Sequence, residues 1–211
     1  MIKAIIFDCF GVVYEDTFGD VYRKFGGDPD DEKEFIVSAF ADSHSGKAER
    51  SSAVFAKRFG VSEQEWVEEL DKDRDVNNEL LTYIKELKPA YKIAMLSNIG
   101  QRGVVAYIDQ EVLDEHFDVV VESSKIGFAK PEARAYEITA DMLGVRLDEC
   151  IFIDDRLEYI EGAQHVGMKT ILFKSNEQVK EELSEILIMH QHFNNVCINA
   201  VKRSMLVAWE K

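Results

Sequence analysis

The fold is decided by the stretch MIKAIIFDCFGVV at residues 1–13. Its residues 2–7 are almost all apolar and rich in β-branched side chains, which is typical of a strand buried on both faces. The strand ends on the carboxylate of Asp8, and Gly11 follows three residues later. Because ligands of open parallel sheets bind beyond the carboxyl ends of the strands, Asp8 is a candidate nucleophile or metal ligand. The alternative on this stretch alone is that Asp8 caps a turn.

Composition limits the class of protein. The 211 residues are 46% hydrophobic and 31% charged, as in soluble globular proteins. The net charge of −15 argues against nucleic acid or an anionic membrane as the main partner, because both require a basic surface. The apolar runs are too short for a transmembrane helix or a signal peptide, and the three cysteines are widely spaced without a CxxC pair. We therefore expect a cytoplasmic protein with reduced thiols.

Residues 14–88 have the pattern of a helical insertion. Apolar residues recur at helical spacing, with glycine-containing breaks near residues 26–29 and 60–62. Ser62 and Glu65 resemble a capping box that opens the helix carrying Trp66. This stretch predicts an all-helical cap whose many Asp and Glu residues face solvent.

Strand and helix patterns alternate after residue 88. Apolar strand-like runs recur at residues 92–96, 117–121, 150–153 and 170–173, with helical spacing between them. Pro131 is predicted in the first turn of the helix after Lys130. The fold class predicted is α/β, a Rossmann-like parallel sheet flanked by helices, with an inserted all-helical cap. The core takes residues 1–13 and 89–187, the cap takes 14–88, and residues 188–211 form a C-terminal extension with no assigned role.

Polar residues lie at the ends of the predicted strands, where they are Asp8, Ser97, Asp154 and Asp155, and at the start of one predicted helix, where the residue is Lys130. If the strands are neighbours, these side chains converge, and three carboxylates in one place need a positive partner. Mg²⁺ suits them because it prefers hard oxygen ligands. Lys130 would hold the charge of the nucleophile, and the Ser97 hydroxyl would donate to a transferring phosphoryl group. An activated aspartate would then form an aspartyl-phosphate that water hydrolyses.

The chain resembles the haloacid dehalogenase superfamily. Four segments carry this resemblance in the family's order: FDCFGVV at 7–13, LSN at 96–98, KPEARAY at 130–136 and FIDD at 152–155. The resemblance spans about residues 1–175, and the helical insertion lies where this family places its small α-helical cap.

The resemblance implies roles for individual residues. The metal ligands would be the Asp8 carboxylate, the Phe10 backbone carbonyl and Asp154, with Asp155 acting behind them or through a water. Asn98, next to Ser97, would contact substrate. The implied activity is Mg²⁺-dependent hydrolysis of small phosphomonoesters, and the implied partner is a small phosphorylated metabolite.

Phe10 departs from the pattern of most phosphatases in the superfamily. They carry at this position an aspartate that acts as general acid and base, whereas phenylalanine cannot transfer a proton. Such catalysis contributes typically about 10²–10⁴-fold in rate. A branch of the superfamily that acts on anomeric sugar phosphates also lacks this aspartate and shares the KPEARxY pattern, so sugar phosphates are one candidate substrate class. A second departure is Tyr159, where many relatives carry Asn; we expect it to alter helix packing more than chemistry.

Two alternatives remain open at the level of sequence. The first is metal-independent dehalogenation of 2-haloacids through Asp8, since dehalogenases of this superfamily also carry an aromatic residue at the Phe10 position. Those enzymes lack paired aspartates in the fourth motif, so Asp154 and Asp155 favour phosphoryl transfer. The second is a catalytically weak protein with a binding role.

The cap contributes two candidate substrate-binding residues. His44 lies in a predicted loop that could face the active site and donate a proton to a leaving group, or it could be a solvated loop residue. Arg23, on the first predicted cap helix, is a similar candidate. The other histidines lack the spacing of a zinc site. The sequence does not predict the oligomeric state.

Overall fold

The structure is a computed structural model that describes residues 1–44, 50–72 and 75–188, without the side chains of residues 41–44. Its centre is a parallel sheet of five strands in the order β3-β2-β1-β4-β5. The strands are β1 (Ala4–Phe7), β2 (Lys92–Ser97), β3 (Val119–Glu122), β4 (Cys150–Asp154) and β5 (Lys169–Leu172). The predicted α/β class is confirmed.

Helices precede, separate and follow the later strands. The segment between β1 and β2 holds α1 (Phe18–Lys24), α2 (Lys33–His44), α3 (Ser51–Phe59), α4 (Glu63–Asp71) and α5 (Asn78–Leu87). The later part holds α6 (Gln110–His116), α7 (Ser123–Ile126), α8 (Ala133–Leu143), α9 (Leu157–His165) and α10 (176–188). Short 3₁₀ turns lie at Val104–Ala106 and Leu147–Glu149. Among the described residues, no helix has the length and apolar character needed to cross a membrane.

The sheet is buried on both faces. Alternate residues of β1 enter different cores, with Ile5 and Phe7 on one side and Ala4 and Ile6 on the other. All four are fully buried. Burial of one such large apolar side chain contributes about 1.5–3 kcal/mol. Therefore β1, at the centre of the sheet, anchors both layers and fixes the place where Asp8 leaves the sheet.

Helix α5 packs with the sheet and not with the cap. Its buried residues Leu80, Leu81, Ile84 and Leu87 lie in the same core cluster as Ile5 and Phe7. The apolar face of α5 therefore covers one face of the sheet, whereas the sequence prediction assigns residues up to 88 to the cap. By packing, the inserted unit ends before Asn77, the residue that caps α5 by accepting a hydrogen bond from Leu80 N at 3.1 Å.

Helices α1 to α4 enclose a separate aromatic core. Trp66 is fully buried and stacks on Phe59 with ring centroids 5.6 Å apart, and Tyr22 and Phe55 are buried beside it. Ser62 caps α4 by accepting a hydrogen bond from Glu65 N at 3.1 Å, as the sequence predicts. We call this unit, residues 15–76, the cap.

Two segments join the cap to the sheet layer side by side. Asn77 N donates to Val13 O at 2.8 Å, and Glu15 N donates to Asp75 O at 3.1 Å. The cap is thus attached next to the loop that carries Asp8.

Two element boundaries differ from the sequence prediction. Pro131 lies before α8 and not in its first turn, because Glu132 has an extended backbone with ψ 128° and the helix begins at Ala133. Between the second and third strands, where the sequence predicts helical spacing, the structure has a 3₁₀ turn at Val104–Ala106 and the separate helix α6. Residues 189–211 of the predicted C-terminal extension lie outside the described residues.

Candidate active site

Asp8 leaves the sheet at the end of its central strand. Its backbone N–H still donates to Ile153 O of β4 at 2.9 Å, so the residue is held in the register of the sheet. Its Oδ1 accepts a hydrogen bond from Cys9 N at 2.6 Å. Asp8 is 5% exposed, so this carboxylate is fixed by the backbone and largely shielded from solvent.

Lys130 lies between two carboxylates. Its Nζ is 2.7 Å from Asp8 Oδ1 and 2.7 Å from Asp154 Oδ2, and its side chain is fully buried. Burial alone would lower the pKa of Lys130, but the negative charges of Asp154 and Asp8 raise this pKa above its usual value. Lys130 is therefore a permanent cation that links β1 and β4.

The carboxylates outnumber this cation. Burial and the charge of Asp154 raise the pKa of Asp8 well above its usual value, even though Lys130 acts in the opposite direction. Burial, Asp154 and Asp16 raise the pKa of Asp155 to about 6. One ammonium group thus faces three carboxylates, and the site has an excess of negative charge.

This acidic cluster fits a divalent cation. Asp8, Asp154 and Asp155 each present a carboxylate oxygen, and these oxygens lie within 4.8 Å of one another. Gly11 makes room for the third carboxylate, because a Cβ built there would lie 2.4 Å from Asp155 Oδ2. Carboxylate oxygens are the ligands that Mg²⁺ prefers, so the donor set suits this ion.

Asn98 holds the backbone of Lys130. Its Oδ1 accepts a hydrogen bond from Lys130 N at 2.8 Å, and its Nδ2 donates to Lys130 O at 2.8 Å. These contacts give Asn98 a role that the sequence reasoning missed. Its predicted contact with substrate stays a prediction.

Ser97 ends β2, next to the strand that carries Asp8. The residue is fully buried, and within the described part of the chain its Oγ has no hydrogen-bond partner. Leaving a buried hydroxyl unpaired costs about 1–3 kcal/mol. Such an atom at the carboxyl edge of the sheet is available to donate to a bound ligand.

Two aromatic rings surround the ammonium of Lys130. Its Nζ lies 5.4 Å from the ring centroid of Phe152 and 4.8 Å from that of Tyr159. The Tyr159 carbonyl accepts a hydrogen bond from Tyr136 Oη at 2.8 Å, which ties α9 to α8. Tyr159 therefore contacts the active-site lysine as well as packing between helices. The available signal was its position one helical turn after Asp155.

Phe10 belongs to a cluster of three aromatic side chains. Its half-buried ring makes edge contacts with Tyr14 and Tyr107, at centroid distances of 5.9 and 5.2 Å. We call Phe10, Tyr14 and Tyr107 the aromatic triad. The triad joins the Asp8 loop, the entry into the cap and the segment after β2. The predicted metal contact of the Phe10 carbonyl stays a prediction.

Arg23 and His44 are the two candidate substrate-binding residues of the cap. Arg23 is more than half exposed, and its ion pairs are with Asp20 at 3.5 Å and Asp30 at 3.9 Å, both within the cap. His44 is the last residue of α2 and not part of a loop, and its side chain lies outside the described residues. The predicted roles of Arg23 and His44 in substrate binding stay predictions.

Known proteins resemble this chain in sequence and in fold. A phosphatase from Mycobacterium tuberculosis is 41% identical over 69 residues, which cover 33% of this chain and only 32% of that protein. A haloacid dehalogenase family enzyme from Bacteroides thetaiotaomicron, solved with magnesium and inorganic phosphate, superposes with a TM-score of 0.67 at 21% identity. This superposition covers 83% of this chain and 96% of the enzyme.

A dehalogenase shares the fold as well. The L-2-haloacid dehalogenase from Xanthobacter autotrophicus, with chloropropionic acid covalently bound, superposes with a TM-score of 0.62 at 20% identity. It is matched over 88% of this chain and 83% of its own length. Structural likeness at this identity shows the fold alone.

The family assignment rests on a match to most of the chain. The family described as haloacid dehalogenase-like hydrolase matches residues 2–167, a range that includes Asp8, Ser97, Lys130 and Asp154. The resemblance seen in the four sequence motifs is thereby confirmed. The chain belongs to the haloacid dehalogenase-like hydrolase family.

Proposed function

We propose that the protein is a Mg²⁺-dependent hydrolase of small phosphomonoesters that uses Asp8 as its nucleophile. The observation that carries this proposal is the buried arrangement of Lys130 between Asp8 and Asp154, with Asp155 completing an acidic cluster. A covalent aspartate mechanism needs a fixed carboxylate, and a nearby cation helps it to approach an anionic ester.

The reaction would proceed in two steps. First, a carboxylate oxygen of Asp8 attacks phosphorus, and the bond from phosphorus to the ester oxygen breaks with its electron pair on the leaving group. Water then attacks phosphorus of the aspartyl-phosphate, which releases inorganic phosphate and restores the carboxylate. Bound Mg²⁺ would supply charge neutralisation for the phosphoryl oxygens.

The residues around Asp8 would stabilise the transferring group. Lys130 is already charged and already placed at Asp8 Oδ1, so no further ordering is needed when an anion arrives. The unpaired Ser97 hydroxyl would donate a hydrogen bond to a phosphoryl oxygen. Preorganised donors of this kind are worth far more in a buried site than in water.

Phe10 favours esters with good leaving groups. The ring is held between Tyr14 and Tyr107 and has no proton to give. A leaving group that is acidic enough to depart as an anion would not need this proton. Anomeric sugar phosphates meet that condition, and we propose them as the preferred class within the phosphomonoesters.

The comparisons with known proteins support a phosphatase activity, and the substrate class is proposed from the site itself. A relative is a phosphatase, and a structural neighbour was solved with magnesium and inorganic phosphate. The dehalogenase alternative has support from the aromatic residue Phe10 and from the second structural neighbour. The acidic cluster favours phosphoryl transfer, because metal-independent attack on an alkyl halide has no use for two further carboxylates.

A substrate panel tests this proposal. Phosphate release is measured from anomeric and non-anomeric sugar phosphates and from simple alkyl phosphates, with Mg²⁺ or with EDTA. We expect turnover only with Mg²⁺ and highest for the anomeric esters. Halide release from 2-haloacids that persists in EDTA would instead establish the dehalogenase. Tight binding of an ester without any turnover would establish the binding role.

A further inference from the structure

We infer that Glu122 is a positioning residue for the segment after β2, residues 98–107, which we call the β2 loop. The part of this inference that concerns turnover rests on the proposed function. Glu122 ends β3, where it pairs in register with Ser97 of β2, and it is 2% exposed. A carboxylate that deep in a protein needs specific partners.

Both partners of the Glu122 carboxylate are defined. Its Oε1 accepts a hydrogen bond from Val104 N of the β2 loop at 2.6 Å. Its Oε2 forms an ion pair with Lys125, three residues later. Hydrogen bonds to charged acceptors contribute more than neutral ones, so this contact is a strong anchor for the far end of the loop.

Gly103 shows how closely the loop approaches this carboxylate. The residue has φ +73°, and a Cβ built there would lie 2.7 Å from Glu122 Oε1. A larger residue would force either the loop backbone or the Glu122 carboxylate to shift. The loop is therefore shaped to fit the side chain of Glu122.

Ser123 holds the near end of the same loop. Its Oγ accepts a hydrogen bond from Ile99 N at 3.0 Å and donates to Ile99 O at 3.2 Å. The consecutive residues Glu122 and Ser123 thus bind the β2 loop at two places, residues 99 and 104. The end of β3 acts as a rigid support for the loop.

The β2 loop carries groups that the active site needs. Asn98 holds the backbone of Lys130 on both sides, and Tyr107 packs on Phe10 in the aromatic triad. Ser97 lies directly before the loop. A shift of the loop would therefore move the support of Lys130 and the neighbour of Phe10 together, and small misplacements of active-site groups can cost about 10²-fold in rate.

Glu149 offers a matched control at the opposite edge of the sheet. It is also buried, at 5% exposed, and it also pairs with a lysine, Lys3, at 2.8 Å. It accepts a hydrogen bond from Arg146 N at 3.0 Å. Glu149 directly precedes β4, so it is far along the strand from the carboxyl edge that holds Asp154.

The test compares Glu122→Met with Glu149→Met in the full chain. Methionine keeps the length of the side chain and removes the acceptor. We expect amide hydrogen exchange in residues 99–107 to accelerate about tenfold or more in the first variant only. We also expect its kcat to fall roughly 10–100-fold with KM changed less than about threefold, while Glu149→Met stays within about twofold of wild type.

Two further variants keep the inference falsifiable if Glu122→Met does not fold. Glu122→Gln retains an acceptor for Val104 N and should keep most of the exchange protection and rate, whereas Ser123→Ala should accelerate exchange near Ile99. The inference is overturned if the β2 loop exchanges alike in the Glu122 and Glu149 variants, or if their kcat values fall equally. The exchange measurement decides the role of Glu122 even if the wild-type protein hydrolyses no ester, a result that would count against the proposed function alone.

Discussion

At the scale of single residues, the active site depends on one buried cation. Lys130 balances Asp8 and Asp154 and is itself placed by Asn98 and the rings of Phe152 and Tyr159. Removing one partner of a buried ion pair leaves an uncompensated charge and typically costs about 3–5 kcal/mol. The same residue therefore has a structural role and, under the proposed function, a chemical one.

Substituting Lys130 by methionine tests both roles. We expect Lys130→Met to lower the free energy of unfolding by about 3–5 kcal/mol without Mg²⁺, and to abolish turnover. Urea denaturation measures the first effect. The control, Lys85→Met, breaks the exposed pair with Glu115 and should leave stability and activity nearly unchanged. Equal stability of the two variants would contradict the buried-cation account.

Substituting Gly11 by alanine tests the third carboxylate. A Cβ at residue 11 would displace Asp155, so we expect Gly11→Ala to weaken Mg²⁺ binding at least about tenfold, which calorimetric titration measures. The control, Gly26→Ala, has a similar positive φ of +92° but no atom within 4 Å of the added Cβ. Both variants carry about 1–2 kcal/mol of backbone strain. If Gly11→Ala binds Mg²⁺ with the affinity of the wild type, Asp155 is not part of the metal site.

The sequence predicted which residues meet here but not how they are held. Asp8, Ser97 and Asp154 each lie at the end of a recognisable strand, so the rule for parallel sheets brings them to one edge, and Lys130 was recognisable from the motif at the start of the following helix. The contacts of Tyr159 and Glu122 depend on how helices and loops pack against neighbouring strands. Such contacts have no periodic signature in the sequence.

At the scale of elements, the helices between β1 and β2 serve two different cores. The periodic apolar pattern predicted each helix, including α5, but a pattern of this kind does not tell which core a helix covers. The residues of α5 enter the sheet core, whereas those of α1 to α4 surround Trp66. For this reason the sequence prediction grouped α5 with the cap helices, although its side chains pack on the sheet.

The cap core contains a tyrosine whose ionisation opposes folding. Burial, followed by its hydrogen bond to Glu32, raises the pKa of Tyr22 to about 12. The pKa of tyrosine in the unfolded chain is about 10. The un-ionised Tyr22 hydroxyl therefore stabilises the fold fully below pH 10, and this stabilisation is lost as the pH rises through about 12.

The variant Tyr22→Phe isolates this effect. The hydroxyl donates to Glu32 Oε2 at 2.9 Å, so we expect wild type to be more stable than the variant at pH 7. The difference between their free energies of unfolding should shrink between pH 10 and pH 12, as measured by chemical denaturation across that range. A difference that stays constant to pH 12 would contradict the raised pKa.

At the scale of the whole molecule, the order of the strands determines which polar side chains lie next to Asp8. The central position of β1 places Asp8 between the ends of β2 and β4, which carry Ser97 and Asp154. The cap is inserted directly after this strand and returns beside it through Val13 and Asn77. The fold class and this arrangement were predictable, because alternating strand and helix patterns allow few topologies. The substrate was not, because a sequence pattern does not orient the side chains that would contact it.

The most direct test of the central claim is the rate of phosphate release by Asp8→Asn on the best ester of the panel with Mg²⁺. The substituted amide would keep the shape of the side chain but lack the nucleophilic carboxylate oxygen, so we expect a loss of at least about 10³-fold. The control variant Asp148→Asn, which alters an exposed aspartate paired with Arg146, should retain the wild-type rate. Release by Asp8→Asn at the wild-type rate would contradict the covalent mechanism.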